Sequence, residues 1–181
     1  MGNLKDLKLE IGIPEGVSVK VDNTHVSVKG KSGEASKEMH NPKIKVFAEA
    51  NKIVIEALKP TRREQRIAYT FNAHIKNLIK GAAESYIYKL KICSGHFPMN
   101  VSTKGNELIV KNFFGEKVPR VLKLKERVNV KVEGDIITVT SANKELAGQA
   151  AADIEQLTRR TRFDTRVFQD GIWIIEKEGM N

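Results

Sequence analysis

The chain has one cysteine, few aromatics and no long apolar run, and each shortage removes a class of protein. Cys93 stands alone among 181 residues, so no intramolecular disulfide framework can form, and the composition suits a reducing compartment, the cytoplasm. No uncharged apolar stretch approaches the roughly 18 residues that cross a bilayer, so membrane insertion is not expected. Lys5, Asp6 and Lys8 interrupt the first apolar residues, which leaves no secretory core there. Asp6 also stands where a myristoylation motif wants Ser or Thr. Asn100-Val101-Ser102 matches a glycosylation sequon, which without a secretory route is a chance match.

What the chain does have is positive charge: 31 Lys and Arg against 22 Asp and Glu, a net +9. On a small chain that excess points to a polyanionic partner, most often nucleic acid, the alternative being a charged surface that serves solubility. The length allows one large or two small domains.

The sequence contains its own duplicate. Val26-Ser27-Val28-Lys29 followed by Gly33-Glu34 recurs 82 residues later as Leu108-Ile109-Val110-Lys111 followed by Gly115-Glu116. Ile44, Val46, Ala48, Ile53 and Ile55 recur at a shift of 84 as Val128, Val130, Val132, Ile137 and Val139. Both runs alternate with the period of half-buried strands and break at Glu49-Ala50-Asn51 and Glu133-Gly134-Asp135, so each is predicted to be a β-hairpin. The period then becomes helical, through Ile67, Phe71, Ile75 and Leu78 in one copy and Leu146, Ala150, Ile154 and Leu157 in the other. Thr61 and Glu64 have capping-box spacing, and the second helix starts at Ser141 or Asn143.

The expected fold is α+β: two tandem homologous domains, each an antiparallel β-sheet packed against one α-helix. The first is expected over residues 1–93, its sheet closed by Tyr86 to Ile92, and the second over 94–181, ending in the strand Ile172 to Ile175. No Gly/Ser-rich or Pro-rich linker loosens the join.

Nothing in the pattern points to catalysis. His25, His40, His74 and His96 lie in four different segments, none at metal-ligand spacing from Cys93, so neither a metal nor a cofactor is expected. Gly30-Lys31-Ser32 suggests a phosphate loop, but His25 stands where the first glycine is required and no helix is expected after Ser32. Asp153 and Glu155 cannot share a helix face. The chain is therefore not expected to be an enzyme.

The cations, by contrast, are grouped. Arg159, Arg160, Arg162 and Arg166 fall within eight residues, opposed by Asp164 alone, with Phe163 and Phe168 nearby. Guanidinium groups fork onto phosphates and stack on bases, while at a helix end they also complement the dipole, which accounts for the first two. Lys117, Arg120, Lys123, Lys125 and Arg127 form a second stretch, equally readable as a solvated strand face. Arg62, Arg63 and Arg66 open the first helix, where cations oppose the dipole, so they point to something outside the domain.

Four motifs occur in order: Ile79-Lys80-Gly81, His96-Phe97-Pro98-Met99-Asn100-Val101, Asn112-Phe113-Phe114-Gly115-Glu116-Lys117 and Phe168-Gln169-Asp170-Gly171-Ile172-Trp173. With the duplication, they closely resemble the large-subunit ribosomal protein six family in its archaeal and eukaryotic form. The resemblance covers nearly the whole chain and implies two tandem α/β repeats. It also implies a structural, rRNA-binding protein of translation, in contact with 23S-type rRNA near the sarcin–ricin loop at the base of the acidic stalk. Neighbouring large-subunit proteins and the docking site of translational GTPases would lie close by.

Carried onto this sequence, the family's contact regions fall on Lys111 to Lys117 and Arg159 to Gly171. The expected rRNA-binding residues are Lys111, Phe113, Gly115, Lys117, Arg120, Arg159, Arg160, Arg162, Arg166 and Gly171, with secondary contacts at Arg62, Arg63 and Arg66. Bacterial members carry a Lys- and Gly-rich segment where this chain has Asp164 to Gly171, so Arg162 and Arg166 are expected to replace those lysines. Gly115 and Gly171 are expected to permit close approach to the RNA. Eleven aromatics, several of them needed in the cores, leave too few for a broad stacking platform, so shape and backbone recognition is expected. A non-ribosomal RNA-binding module of the same fold and a protein-interaction scaffold are the alternatives.

Overall fold

From Leu7 to Ala57, alternating burial organises the described residues into short antiparallel strands, because each apolar position at i, i+2 faces the same side of a pleated sheet. The computed structural model describes residues 6–22, 24–49, 51–95, 97–161, 163–164 and 166–177. Six strands, β1 (Leu7–Gly12), β2 (Ser18–Asp22), β3 (His25–Gly30), β4 (Gly33–Glu38), β5 (Ile44–Glu49) and β6 (Lys52–Ala57), precede α1 (Arg62–Ala83). They form two three-stranded antiparallel sheets, ordered β1-β6-β5 and β2-β3-β4. Helix α1 packs on both, burying Ala68, Phe71, Ile75, Leu78 and Ile79 against a core that includes Val26, Val28, Ile53 and Ile55. Ile67, at the edge of the expected stripe, is half-buried.

The ends of α1 are closed by sequence features visible beforehand. The Glu64 carboxylate accepts the Thr61 amide, as the capping-box spacing predicts. At the other end the Ser32 amide donates to the Ala82 carbonyl (3.0 Å) and the Ser32 hydroxyl to the Ala83 carbonyl (3.1 Å). A Cβ on Gly30 would overlap the Ala82 carbonyl oxygen. Gly30-Lys31-Ser32 is thus the lid on a helix C-terminus, satisfying carbonyls that the helix leaves unpaired.

The second unit repeats the plan with one strand more. It comprises β7 (Tyr86–Cys93), β8 (Asn100–Lys104), β9 (Glu107–Lys111), a tight turn at Phe113–Gly115, β10 (Arg120–Lys123), β11 (Asn129–Glu133), β12 (Ile136–Ser141), α2 (Lys144–Leu157) and β13 (Gly171–Glu176). Its sheets are ordered β8-β9-β10 and β11-β12-β7-β13. Asn143 caps α2, its side-chain oxygen accepting the Glu145 and Leu146 amides, whereas the Ser141 hydroxyl donates to the Arg127 carbonyl. The face of α2 that meets the sheet is Ala147, Ala150, Ala151 and Ile154, with Leu146 and Leu157 half-buried beside it.

The expected α+β class with two tandem repeats holds, each unit having two sheets rather than one. The expected boundary between residues 93 and 94 does not hold: the chain divides between Ser85 and Tyr86. Strand β7 pairs with β12 and β13, and Tyr86, Tyr88, Leu90 and Ile92 pack into the second core. The first sheet is already closed by β1, which pairs with β6 as β7 pairs with β12, and it needs no strand after α1.

The outer edge of β13 is closed by side chains of α2 and its cap. The Ile172 amide donates to the Thr158 hydroxyl (2.9 Å) and the Ile174 amide to the Glu155 carboxylate (3.1 Å). Both amides point away from β7, so two residues at the end of a helix satisfy what a further strand would otherwise pair.

Candidate nucleic-acid interface

The turn after β9 sets two neighbouring phenylalanines edge to face, Phe113 and Phe114, with ring centroids 4.9 Å apart at 83°. Asn112, Phe114 and Gly115 all have positive φ (60°, 50° and 75°), and the Asn112 side chain donates to the Pro98 carbonyl at 3.0 Å. Asn and Gly tolerate this left-handed backbone, but a bulky Phe at φ 50° costs roughly 1–3 kcal/mol and persists only where its surroundings impose it. Phe113 is buried in the core, 2% exposed, and Phe114 packs half-buried against the same core. Gly115 is called for by its φ of 75° rather than by space, since a Cβ there would lie in ordinary contact with the Phe97 ring at 3.7 Å.

At the rim of that core, Phe114 also meets the segment that follows α2. Its ring stacks on Phe163 at 5.3 Å with a 25° interplanar angle and meets Phe168 edge-on at 6.2 Å. Phe163 and Phe168 meet each other at 5.4 Å and 79°. The two stretches expected to contact RNA, Lys111–Lys117 and Arg159–Gly171, are therefore joined through aromatic contacts.

Two of the expected arginines hold this surface together. The Arg120 guanidinium lies 4.4 Å from the Phe113 ring centroid, pairs through Nε and Nη2 with both Glu116 oxygens, and donates through Nη1 to the Leu157 and Arg159 carbonyls. It ties the turn to the C-terminus of α2, and its pairing lowers the Glu116 pKa below the usual carboxylate range. Arg160 lies 4.4 Å from the Phe114 centroid and donates to the Phe168 and Asp170 carbonyls, bracing the segment before β13. The Asp170 carboxylate in turn accepts the Gly95 amide.

The remaining expected residues divide by exposure. Lys111, Lys117, Arg159 and Arg166 are exposed. Arg159 touches the Gln156 side chain at 3.3 Å. Arg166, its side chain 88% exposed, forks onto Asp164 at 2.8 and 3.1 Å, which holds the Asp164 pKa below its ordinary value and raises that of Arg166. Gly171 is buried at φ 151°, a conformation that strains a side chain, with Thr158 and Trp173 at ordinary contact distance. Phe113, likewise buried, is placed to support the turn, not to touch a partner. Arg162 lies outside the described residues, as does His96 of the second motif. Arg62, Arg63 and Arg66 are exposed at the start of α1, in the other unit.

Sequence reading missed Phe114 and Phe97. The available signal was the Asn-Phe-Phe-Gly turn itself, which places two adjacent aromatics at one bend of the chain.

The arrangement suits adhesion to a polyanion rather than chemistry on one. Asp153 accepts from Gln149, Glu155 from Ile174 and Glu116 from Arg120, so these carboxylates serve the fold. Among the described residues no group of three or more His, Cys, Asp and Glu could hold a metal ion, and no helix is long and apolar enough to cross a membrane.

Comparison with known proteins agrees with the internal duplication. The family model described as ribosomal protein L6 matches the chain twice, over residues 13–84 and 97–171. The chain is 45% identical over 173 residues to the large ribosomal subunit protein uL6 of Methanococcus vannielii, covering 96% of this chain and 95% of that one. It is 44% identical over 183 residues to the large ribosomal subunit protein uL6 of Nanoarchaeum equitans (strain Kin4-M), covering 97% and 95%. Matched in each of its repeats and along nearly its whole length, the chain belongs to the ribosomal protein L6 family.

Proposed function

We propose that this chain, a structural and non-catalytic constituent of the large ribosomal subunit, binds 23S-type rRNA through the surface where Lys111–Lys117 meets Arg159–Gly171. Convergence of these two stretches carries the reading: Phe114 locks onto Phe163 and Phe168, while Lys111, Lys117, Arg159 and Arg166 stand exposed on the same stretches. Family resemblance supports a location near the sarcin–ricin loop at the base of the acidic stalk, beside neighbouring ribosomal proteins and the docking site of translational GTPases. Arg62, Arg63 and Arg66 contribute a second, separate contact from the first unit.

Mechanistically, the four exposed cations neutralise phosphates and release counterions, while Arg120 and Arg160 keep the surface rigid so that little ordering is left for binding. Arg166 exchanges its exposed partner Asp164 for a phosphate, at low cost because surface ion pairs contribute about 0–1 kcal/mol.

Replacing Lys111, Lys117, Arg159 and Arg166 together by Gln is expected to weaken binding to an rRNA fragment carrying the sarcin–ricin stem. The slope of log affinity against log salt should flatten by about 0.7–0.9 for every phosphate that is no longer neutralised. An unchanged slope overturns the assignment. Co-sedimentation with large subunits through a high-salt wash separates a ribosomal constituent from a free RNA-binding module.

A further inference from the structure

The aromatic corner on the second unit has more exposed surface than a purely structural cluster needs. Phe163 and Phe168 are 47% and 43% exposed, yet each has fixed neighbours. Phe163 is stacked on Phe114, and the Arg160 guanidinium lies 5.8 Å from its centroid. Phe168 is held through its carbonyl by Arg160 and by ring contact with Phe114. Phe114 itself sits in a left-handed conformation that a bulky residue rarely adopts, and the turn that imposes it brings the ring out to these two. Aromatic rings meeting at 79° offer a face and an edge at a steep angle. That shape accepts a flat group stacked on one ring and abutting the other.

We infer that Phe163 and Phe168 form a stacking corner that receives one unpaired nucleobase of the bound RNA. The inference rests on the proposed RNA contact and names its chemistry at this spot. Charge complementarity decides the occupant. Arg159 and Arg166 flank Phe163 in sequence, and Lys111 and Lys117 flank the turn that carries Phe114, so exposed cations stand on the same two stretches as the rings. A nucleotide turned out of a loop or bulge brings a π-face for the rings and two phosphates for those cations, whereas an apolar protein segment leaves the cations without partners. The sparse aromatic content still excludes a platform for a run of bases, and a corner of two rings takes one.

Binding of an rRNA fragment spanning the sarcin–ricin stem tests the inference, with each unpaired nucleotide replaced in turn by an abasic residue. Phe163→Ala should weaken binding roughly tenfold with the salt slope unchanged, because stacking is removed while every phosphate keeps its cation. Phe163→Trp should restore affinity and Phe163→Leu should not. At one unpaired position the abasic RNA should bind wild type and Phe163→Ala equally well. Full recovery by Leu identifies an apolar docking site instead and overturns the inference. It is equally overturned if no abasic position removes the difference between wild type and Phe163→Ala. Salt-sensitive binding by wild type alongside unaffected Phe variants defeats the stacking corner alone, and absence of any salt-sensitive binding by wild type defeats the RNA reading as well.

Discussion

Glu64 and Arg160 show how differently two charged residues can be used. Hydrogen bonds from Thr61 and Lys43 hold the Glu64 pKa at about 2, against an ordinary value of 4.5. A carboxylate with a depressed folded-state pKa stabilises the fold above its unfolded pKa. That contribution is lost as pH falls from about 4.5 through about 2. Glu64→Gln should therefore melt lower than wild type at pH 7 and approach it at pH 2, which thermal unfolding across that range would reveal. Arg160 is the opposite case: an expected RNA ligand that is spent internally on two carbonyls and a ring. Lysine cannot span both carbonyls or lie flat on Phe114, so Arg160→Lys should cost about 1–3 kcal/mol and speed proteolysis within residues 161–170. The Thr61–Glu64 pair was legible because both partners are local and typed by their side chains. Arg160 was not, because its partners are backbone carbonyls, which carry no sequence signature.

At the level of elements, the slimness of α2 is what the alanines foretell. Ala147, Ala150 and Ala151 are buried, and a Cβ on Gly148 would stand 3.4 Å from the Tyr88 hydroxyl, so the helix axis lies close to β7. Ala150→Leu should overpack this seam and destabilise by about 1–3 kcal/mol, measured by denaturant unfolding. Hairpins and helices were readable because their period and caps are short-range. Strand β7 was misplaced because an alternating run declares that it is a strand without naming its neighbours, and both of its partners lie more than 40 residues away. The role of Gly30-Lys31-Ser32 was hidden for the same reason: its partners, Ala82 and Ala83, are about 50 residues distant.

For the whole molecule, moving the boundary to Tyr86 changes the meaning of the charge. Cut after residue 94, the chain has 17 cations and 10 anions ahead of the cut and 14 and 12 behind, an imbalance of +7 to +2. Cut before Tyr86 it has 15 and 10, then 16 and 12, or +5 and +4, since Lys89 and Lys91 belong to the second unit. The basic character is shared evenly, and the distinction between the halves lies in the local arrangement around Phe114. A fragment of residues 86–181 should fold, whereas one of residues 94–181 lacks the strand between β12 and β13 and should not, as circular dichroism melts would report.

That central strand also sets a timetable. Every partner that the first unit needs has been made by the time Ala83 leaves the synthetic machinery, and the unit can complete its fold at that moment. Strand β7 is made next, yet its two neighbours, β12 and β13, follow it only at residues 136–141 and 171–176. The second unit therefore waits, its middle strand unpaired, until Glu176 has been made, and the surface that carries Phe163 and Phe168 is completed only then.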